Sequence, residues 1–166
     1  MRMQNKVVVL IGAGQSPGEG VGNGRAAALV YAREGAKVLA VDRDLLAASD
    51  TASAVAAEGG ICESFQADVT REAELTAAIM DAKKRWQRID VLHYNVGVSL
   101  AGGDRTPLEI TEDAFDNVNA INLRGYVMAV KHVLPIMRAQ RSDEMLRITP
   151  DRCARMIGNT CLTAIT

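Results

Sequence analysis

The residues with chemistry to offer stand at the ends of short apolar runs. Gly12 closes the run Val7 to Ile11, and Asp42 follows Lys37 to Val41. Asp68-Val69 comes just after Ile61 to Gln66, and Asn95-Val96-Gly97 follows Ile89 to Tyr94. Carboxylates, an amide and glycines are residue types that hold a ligand rich in hydroxyls and phosphates. Glycine takes positive φ and lets the backbone approach without a Cβ in the way. Gly22-Asn23-Gly24 leads into a helical pattern, Arg25-Ala26-Ala27-Ala28-Leu29. The start of that helix offers free N–H groups and the positive end of its dipole, which suits a pyrophosphate. The simple G-x-G-x-x-G pattern fails at Gly12, because Pro17 holds the third position, while G-x-G-x-x-A fits Gly22, Gly24 and Ala27. No Gly-Lys-Ser/Thr occurs, so a P-loop is excluded. A glycine loop alone is weak evidence, because a flexible strand–helix connection is the plainer alternative. What lifts it above that is the convergence of polar residues at four strand ends.

The elements that must position these residues follow from periodicity. Val7 to Ile11, with three consecutive valines, suits a strand buried on both faces. A helix from Arg25 to Glu34 ends at Gly35, and a second from Leu45 to Glu58 ends at Gly59-Gly60. Strands at 37–41, 61–66 and 89–94 alternate with these helices and with one at 72–86, where Trp86 reads as a packing residue. A loop over 99–107 precedes a long helix from Thr111 to Arg138. Its apolar stripe runs through Phe115, Val118, Ile121, Gly125, Met128 and Ala129, with Asn122 within a turn of it. Strands alternating with helices predict a parallel, doubly wound α/β sheet that takes ligands beyond the carboxyl ends of its strands. Asp42 is then placed to accept hydrogen bonds from both adenosine-ribose hydroxyls and to repel a 2′-phosphate. The plainer alternative is the N-cap of the next helix, a role that Asp44 could fill as easily; the spacing favours the ribose. Arg43 beside it is of a type that holds a 2′-phosphate.

Composition narrows the class. The 166 residues are 48% hydrophobic and 23% charged, enough for one domain with a real core. A net charge of −1 makes no electrostatic case for nucleic acid or a membrane surface. Cys62, Cys153 and Cys161 are scattered, form no C-x-x-C, and fit a reducing cytoplasm without disulfides. Cys153 and Cys161 have no partnering histidine, so no metal site is expected. The N-terminal apolar run reads as a strand rather than a signal peptide, and no run reaches the length of a membrane span.

In this order the residues resemble the short-chain dehydrogenase/reductase family, over roughly Lys6 to Arg138. The family's T-G-x-x-x-G-x-G is matched by Ile11-Gly12 and then Gly22-Asn23-Gly24. Its acidic residue after strand two is matched by Asp42, and its adenine-contacting Asp-Val/Leu by Asp68-Val69. Its N-N-A-G is matched by Tyr94-Asn95-Val96-Gly97, and its helix asparagine by Asn122 within Ile121-Asn122-Leu123-Arg124-Gly125. The departures are Ile11 for a threonine, a longer loop between Gly12 and Gly22, and Tyr94 for an asparagine. The resemblance implies an NAD(P)-dependent oxidoreductase with a Rossmann-like sheet, NAD preferred over NADP, acting on an alcohol or ketone.

The family's chemistry also needs a serine and a Tyr-x-x-x-Lys. The tyrosine is the general acid/base and the lysine lowers its pKa. Tyr31, Tyr94 and Tyr126 have Gly35, Val98 and Val130 four residues on, so no such pair exists here. Asn122 alone of the family's catalytic set is present, with a supporting role. The resemblance fades after Gln140. Residues 1–140 therefore read as the dinucleotide-binding domain, and 141–166 as a divergent tail from a truncated or frame-shifted copy. The sheet is then incomplete in its C-terminal half. Strand four is expected at an exposed edge, Met145 to Thr149 as a short strand, and helix 111–138 with an apolar patch that invites a homo-oligomer. Three functions remain open: an oxidoreductase, a non-catalytic dinucleotide-binding module or defective gene product, and an interaction protein without the ligand.

Overall fold

In a computed structural model the strand β1 (Val7–Ile11) is the spine of the sheet, and all five of its residues are buried. The structure describes residues 1–15 and 20–140, together with the backbone of two short strands at 147–148 and 162–165. β1 lies parallel to β2 (Lys37–Asp42) on one side and to β4 (Val91–Tyr94) on the other. β3 (Ile61–Gln66) extends the sheet beyond β2, again in parallel. Residues alternate between two cores, as the two-residue period of a strand requires. Val9, Ile11, Leu39, Val41, Leu92 and Tyr94 face α3 (Glu72–Trp86) and α5 (Gly125–Ala139). Val8, Leu10, Val38, Ala40 and Val91 face the helices α1 (Asn23–Arg33) and α2 (Leu45–Ala57). The fold is the doubly wound Rossmann-like α/β sheet expected from the alternation of strand and helix. Among the described residues no helix is long and apolar enough to cross a membrane.

The far side of β4 departs from expectation. The strand order is β3-β2-β1-β4-β6-β5, with β6 (Leu162–Ile165) antiparallel to both β4 and β5 (Arg147–Ile148). β4 is therefore an inner strand and not the exposed edge expected from the sequence. A sheet edge presents unpaired N–H and C=O groups, and a short stretch of the tail pairs with them. β5 coincides with the centre of the strand expected at 145–149, whose remaining residues lie outside the described ones.

The long helix is also not uniform. α4 (Glu112–Asn119), capped by Thr111 accepting from the Ala114 N–H at 3.2 Å, passes into a π-helical turn at Ala120–Arg124 before α5. Two side-chain amides clamp this run along β4. Asn122 exchanges two hydrogen bonds with the Val98 backbone, at 2.7 and 2.8 Å. Gln140 does the same with Ile89 at the opposite end, at 2.7 and 2.8 Å. On the outer side Lys131 and His132 of α5 both donate to Glu72 of α3, and Lys131 foremost pushes that carboxyl down to about 2.

Two buried polar groups sit in the sheet. Asp90 is 1% exposed and takes the Val7 N–H at 2.8 Å, Arg88 Nε at 2.8 Å and Arg88 Nη2, with Lys6 Nζ at 3.6 Å. It fixes where β1 starts against β4. Removing one partner of such a set strands the others, so Asp90→Ala should cost about 3 kcal/mol, read as a lower urea midpoint at unchanged m. His93 is 3% exposed, with Nδ1 3.2 Å from the Tyr31 hydroxyl and the two rings edge to face. Burial lowers its pKa from 6.5 to about 4. The fold holds the neutral imidazole while the unfolded chain takes a proton near pH 6.5. The stability this contributes, about 3 kcal/mol, is present above pH 6.5 and lost as pH falls toward 4. Urea titrations between pH 7 and 4.5 should show a steeper loss in the unaltered chain than in His93→Leu.

Candidate functional site

The carboxyl ends of β1 to β4 open into a cleft of about 450 Å³. Gly12, Gly22, Asn23, Gly24, Asp42, Arg43, Asp68, Val69, Asn95, Val96 and Gly97 all line it. Gly14, not among the residues expected from the sequence, joins them. At three of these glycines, Gly12, Gly14 and Gly24, a side chain does not fit. Gly12 has φ +82°, and an added Cβ would stand 2.8 Å from Val96 Cγ2. A Cβ on Gly24 would stand 2.0 Å from the Gly12 carbonyl oxygen, and one on Gly14 2.6 Å from Asp42 Oδ2. The turn out of β1 and the first turn of α1 therefore pack backbone against backbone.

This turn is pinned from several directions. The Gly12 and Ala13 N–H groups donate to the Val41 carbonyl at 2.8 and 3.0 Å. Asn95 Nδ2 donates to the Gly12 carbonyl at 2.9 Å, and the Thr51 hydroxyl donates to that of Ala13 at 2.8 Å. Arg25 Nε in turn donates to the Thr51 hydroxyl oxygen at 3.2 Å. Thr51 is fully buried within α2, and no sequence motif points to it. Gly14, by contrast, was legible as the second glycine of Gly12-Ala13-Gly14.

The acidic residues divide their work. Asp44 caps α2, accepting from Leu46 N–H at 2.9 Å and Ala47 N–H at 3.4 Å. Asp42 is thereby released from the capping role that the sequence had left open. Its Oδ2 accepts from the Gly14 N–H at 2.8 Å and its Oδ1 from the Asp44 N–H at 3.1 Å. Each carboxylate oxygen keeps a second lone pair for a ligand. Asp68 Oδ1 accepts from both the N–H and the hydroxyl of Thr70, and this N–H chiefly holds its carboxyl below the ordinary value.

Asn122 is placed differently from the strand-end residues. It is absent from the cleft lining, and both of its amide atoms are engaged by Val98, which does line the cleft. The π turn around it is met by Tyr94. The Tyr94 hydroxyl donates to the Ile121 carbonyl at 2.5 Å and lies over the bare Cα of Gly125, where an added Cβ would come within 2.5 Å. Burial, helped by the charge of Asp68, raises its pKa and keeps it a proton donor. Tyr126 packs edge to face on Tyr94, and Tyr31 lies against His93. No tyrosine lines the cleft. Burial pushes the Cys62 thiol up to about 12, which leaves it no nucleophile near neutral pH. Among the described residues no group of three or more His, Cys, Asp or Glu side chains gathers to hold a metal.

The profile of the short chain dehydrogenases matches residues 6–154 of this sequence. The chain belongs to the short-chain dehydrogenase family. Levodione reductase of Leifsonia aquatica is 35% identical over 161 residues, which cover 95% of this chain and 57% of that protein. Galactitol 2-dehydrogenase of Agrobacterium fabrum is 33% identical, over 84% of this chain and 50% of that protein. A crystal structure from Burkholderia xenovorans, assigned to the short-chain dehydrogenase/reductase class, superposes with a TM-score of 0.77 at 38% identity. It covers 84% of this chain, which accounts for 54% of that one. The chain thus spans about half the length of the relatives it matches. Family membership implies a nicotinamide dinucleotide cofactor and oxidoreductase ancestry.

The glycine cradle generates a direct expectation. Gly24→Ala forces its methyl onto the Gly12 carbonyl, where the neighbour is backbone and cannot rotate away. The variant should lose about 1–3 kcal/mol of stability in denaturant unfolding, with a disturbed cleft.

Proposed function

We propose that this chain is the dinucleotide-binding half of a short-chain oxidoreductase, that it binds NAD(H) in the cleft, and that by itself it does not turn over substrate. The observation that carries the reading is the cradle formed by Gly12, Gly14 and Gly24 beside Asp42. Three missing Cβ atoms leave backbone room at the start of α1, and a carboxylate faces the same space. The residues present suit the cofactor. The first N–H groups of α1, at Asn23 and Gly24, would receive the pyrophosphate. Asp42 would take the adenosine ribose, and Asp68-Val69 the adenine. Asn95, Val96 and Gly97 would border the remainder. When bound, the nicotinamide supplies hydride transfer.

The chain's own residues would bind and orient; among the described residues none is placed to exchange the substrate proton. General acid–base catalysis is worth about 10²–10⁴-fold, and the tyrosine and lysine that deliver it in the family are missing from this sequence. Asn122 has both amide atoms on Val98, which suits a supporting part. In the complete enzymes the substrate is an alcohol or ketone, the class suggested by the names of the relatives. A non-catalytic dinucleotide-binding module is the second reading, favoured by the same missing pair. Phe115, Leu123 and Val127 are exposed along the helical run at 111–138, and we place a homo-oligomer contact there. The scattered cysteines suit a cytoplasmic setting.

Titration calorimetry on the purified chain tests the binding claim. NADH should bind more tightly than NADPH, and Asp42→Ala should weaken NADH about tenfold or more, the loss of charged hydrogen bonds to a ribose. Tighter binding of NADPH, indifferent to Asp42→Ala, would count for Arg43 as the deciding residue. Against a panel of ketones and alcohols no NADH oxidation or NAD reduction is expected. Turnover abolished by Tyr126→Phe would reverse the inactive assignment.

A further inference from the structure

The segment between Gly14 and Gly22 is longer than the family's turn, yet its two ends meet. A Cβ built on Gly22 would lie 3.7 Å from the Gly14 carbonyl oxygen. One side chain closes the neck. The Gly22 N–H donates to Gln15 Oε1 at 2.7 Å, and Gln15 Nε2 donates to the Gly20 carbonyl at 2.8 Å. A primary amide has one acceptor oxygen and one donor nitrogen, so it can serve both strands of a neck at once. Gly22 immediately precedes α1, at φ −63° and ψ 148°, and no side chain caps that helix. The direction in which the chain leaves Gly22 therefore sets where the first free N–H groups of α1 point. The pins on Gly12, Ala13 and Gly14 act on the strand side of the turn. Gln15 acts on the helix side.

We propose that Gln15 is a positioning residue for the pyrophosphate end of the cleft. Its amide staples the neck of the lengthened loop, so the Asn23 and Gly24 N–H groups keep the placement a short loop would have given them. This rests on the dinucleotide reading of the cleft. Without the staple the loop ends separate part of the time, and a ligand's apparent affinity falls by the fraction of chains still in the competent arrangement. The cost should fall on ligands that carry the diphosphate and spare those that lack it.

Gln15→Met keeps the side-chain length and removes both hydrogen bonds at a partly exposed position. ADP-ribose, which carries the diphosphate, is titrated by calorimetry, and adenosine, which carries none, by ligand-observed NMR. Gln15→Met should bind ADP-ribose about tenfold more weakly, the equivalent of two modest hydrogen bonds, and adenosine within about twofold of the unaltered chain. Hydrogen exchange at the Gly22 amide should quicken in the ligand-free variant. Unchanged ADP-ribose affinity in Gln15→Met, with the unaltered chain binding well, would sink the positioning role and leave the cleft reading standing. An equal loss for adenosine would sink it too, by showing a general loosening of the site. An unaltered chain that binds neither ligand would overturn the cleft reading and this role together.

Discussion

Among the described glycines, Gly24 leaves the least room for a side chain, because an added Cβ would stand on the Gly12 carbonyl oxygen, and much of the site depends on this contact. With a Cβ position only 2.0 Å from that oxygen, α1 can start where it does only because residue 24 is glycine, while Gly12 is required by its φ of +82° and by Val96. This contact brings the amino end of a helix against the carboxyl end of the central strand. The other polar groups of the cleft then have one place to gather. Asn95 ties the Gly12 carbonyl to β4, Thr51 ties the Ala13 carbonyl to α2, and Asp42 ties the Gly14 N–H to β2. Three elements each give one side chain to the turn, so the cradle is shaped before any ligand arrives. Preorganisation of this kind lowers the ordering cost of binding.

The second theme is the use of side-chain amides as backbone substitutes. Gln15, Asn95, Asn122 and Gln140 each bond to main-chain groups at irregular points: a loop neck, a glycine turn, the segment after β4 and the start of β4. A buried or half-buried backbone group without a partner is costly, and loops lack the ladder that pairs strands. Primary amides can answer both a donor and an acceptor, which explains their concentration where regular structure stops. Tyr94 solves a related problem with a hydroxyl. The π turn alters the hydrogen-bond pattern of the helix around Ile121, and Tyr94 donates to the Ile121 carbonyl across the space left by Gly125. A residue that looked like a loss from the family's N-N-A-G therefore has a task of its own.

In the proposed reading, binding and catalysis draw on different parts of the family's fold. The groups that shape the cleft come from the first four strands and the turns after them, and all of these lie within the part that matches its relatives. Proton exchange needs a titrating side chain in reach of the substrate. Tyr31, Tyr94 and Tyr126 are instead spent on packing against His93, on the π turn and on each other.

The sequence by itself determined the alternation of strand and helix, the two-sided burial of β1, and the strand-end positions of Gly12, Asp42, Asp68 and Asn95. Periodicity and glycine placement are local properties, so they survive in one dimension. It left open whether Asp42 or Asp44 caps α2, because both are acidic residues just ahead of a helix. Only the position of the Gly14 N–H, brought over from β1, assigns Asp42 to the cleft. Thr51, Gln15 and the pairing of β6 with β4 were likewise beyond reach. Each is a contact between segments far apart or irregular in sequence, and its meaning comes from what the fold sets beside it. The interior of the long helix shows the same limit: an apolar stripe predicts a helix, while the π turn, with Tyr94 of β4 bonded to its Ile121 carbonyl, appears only in the fold.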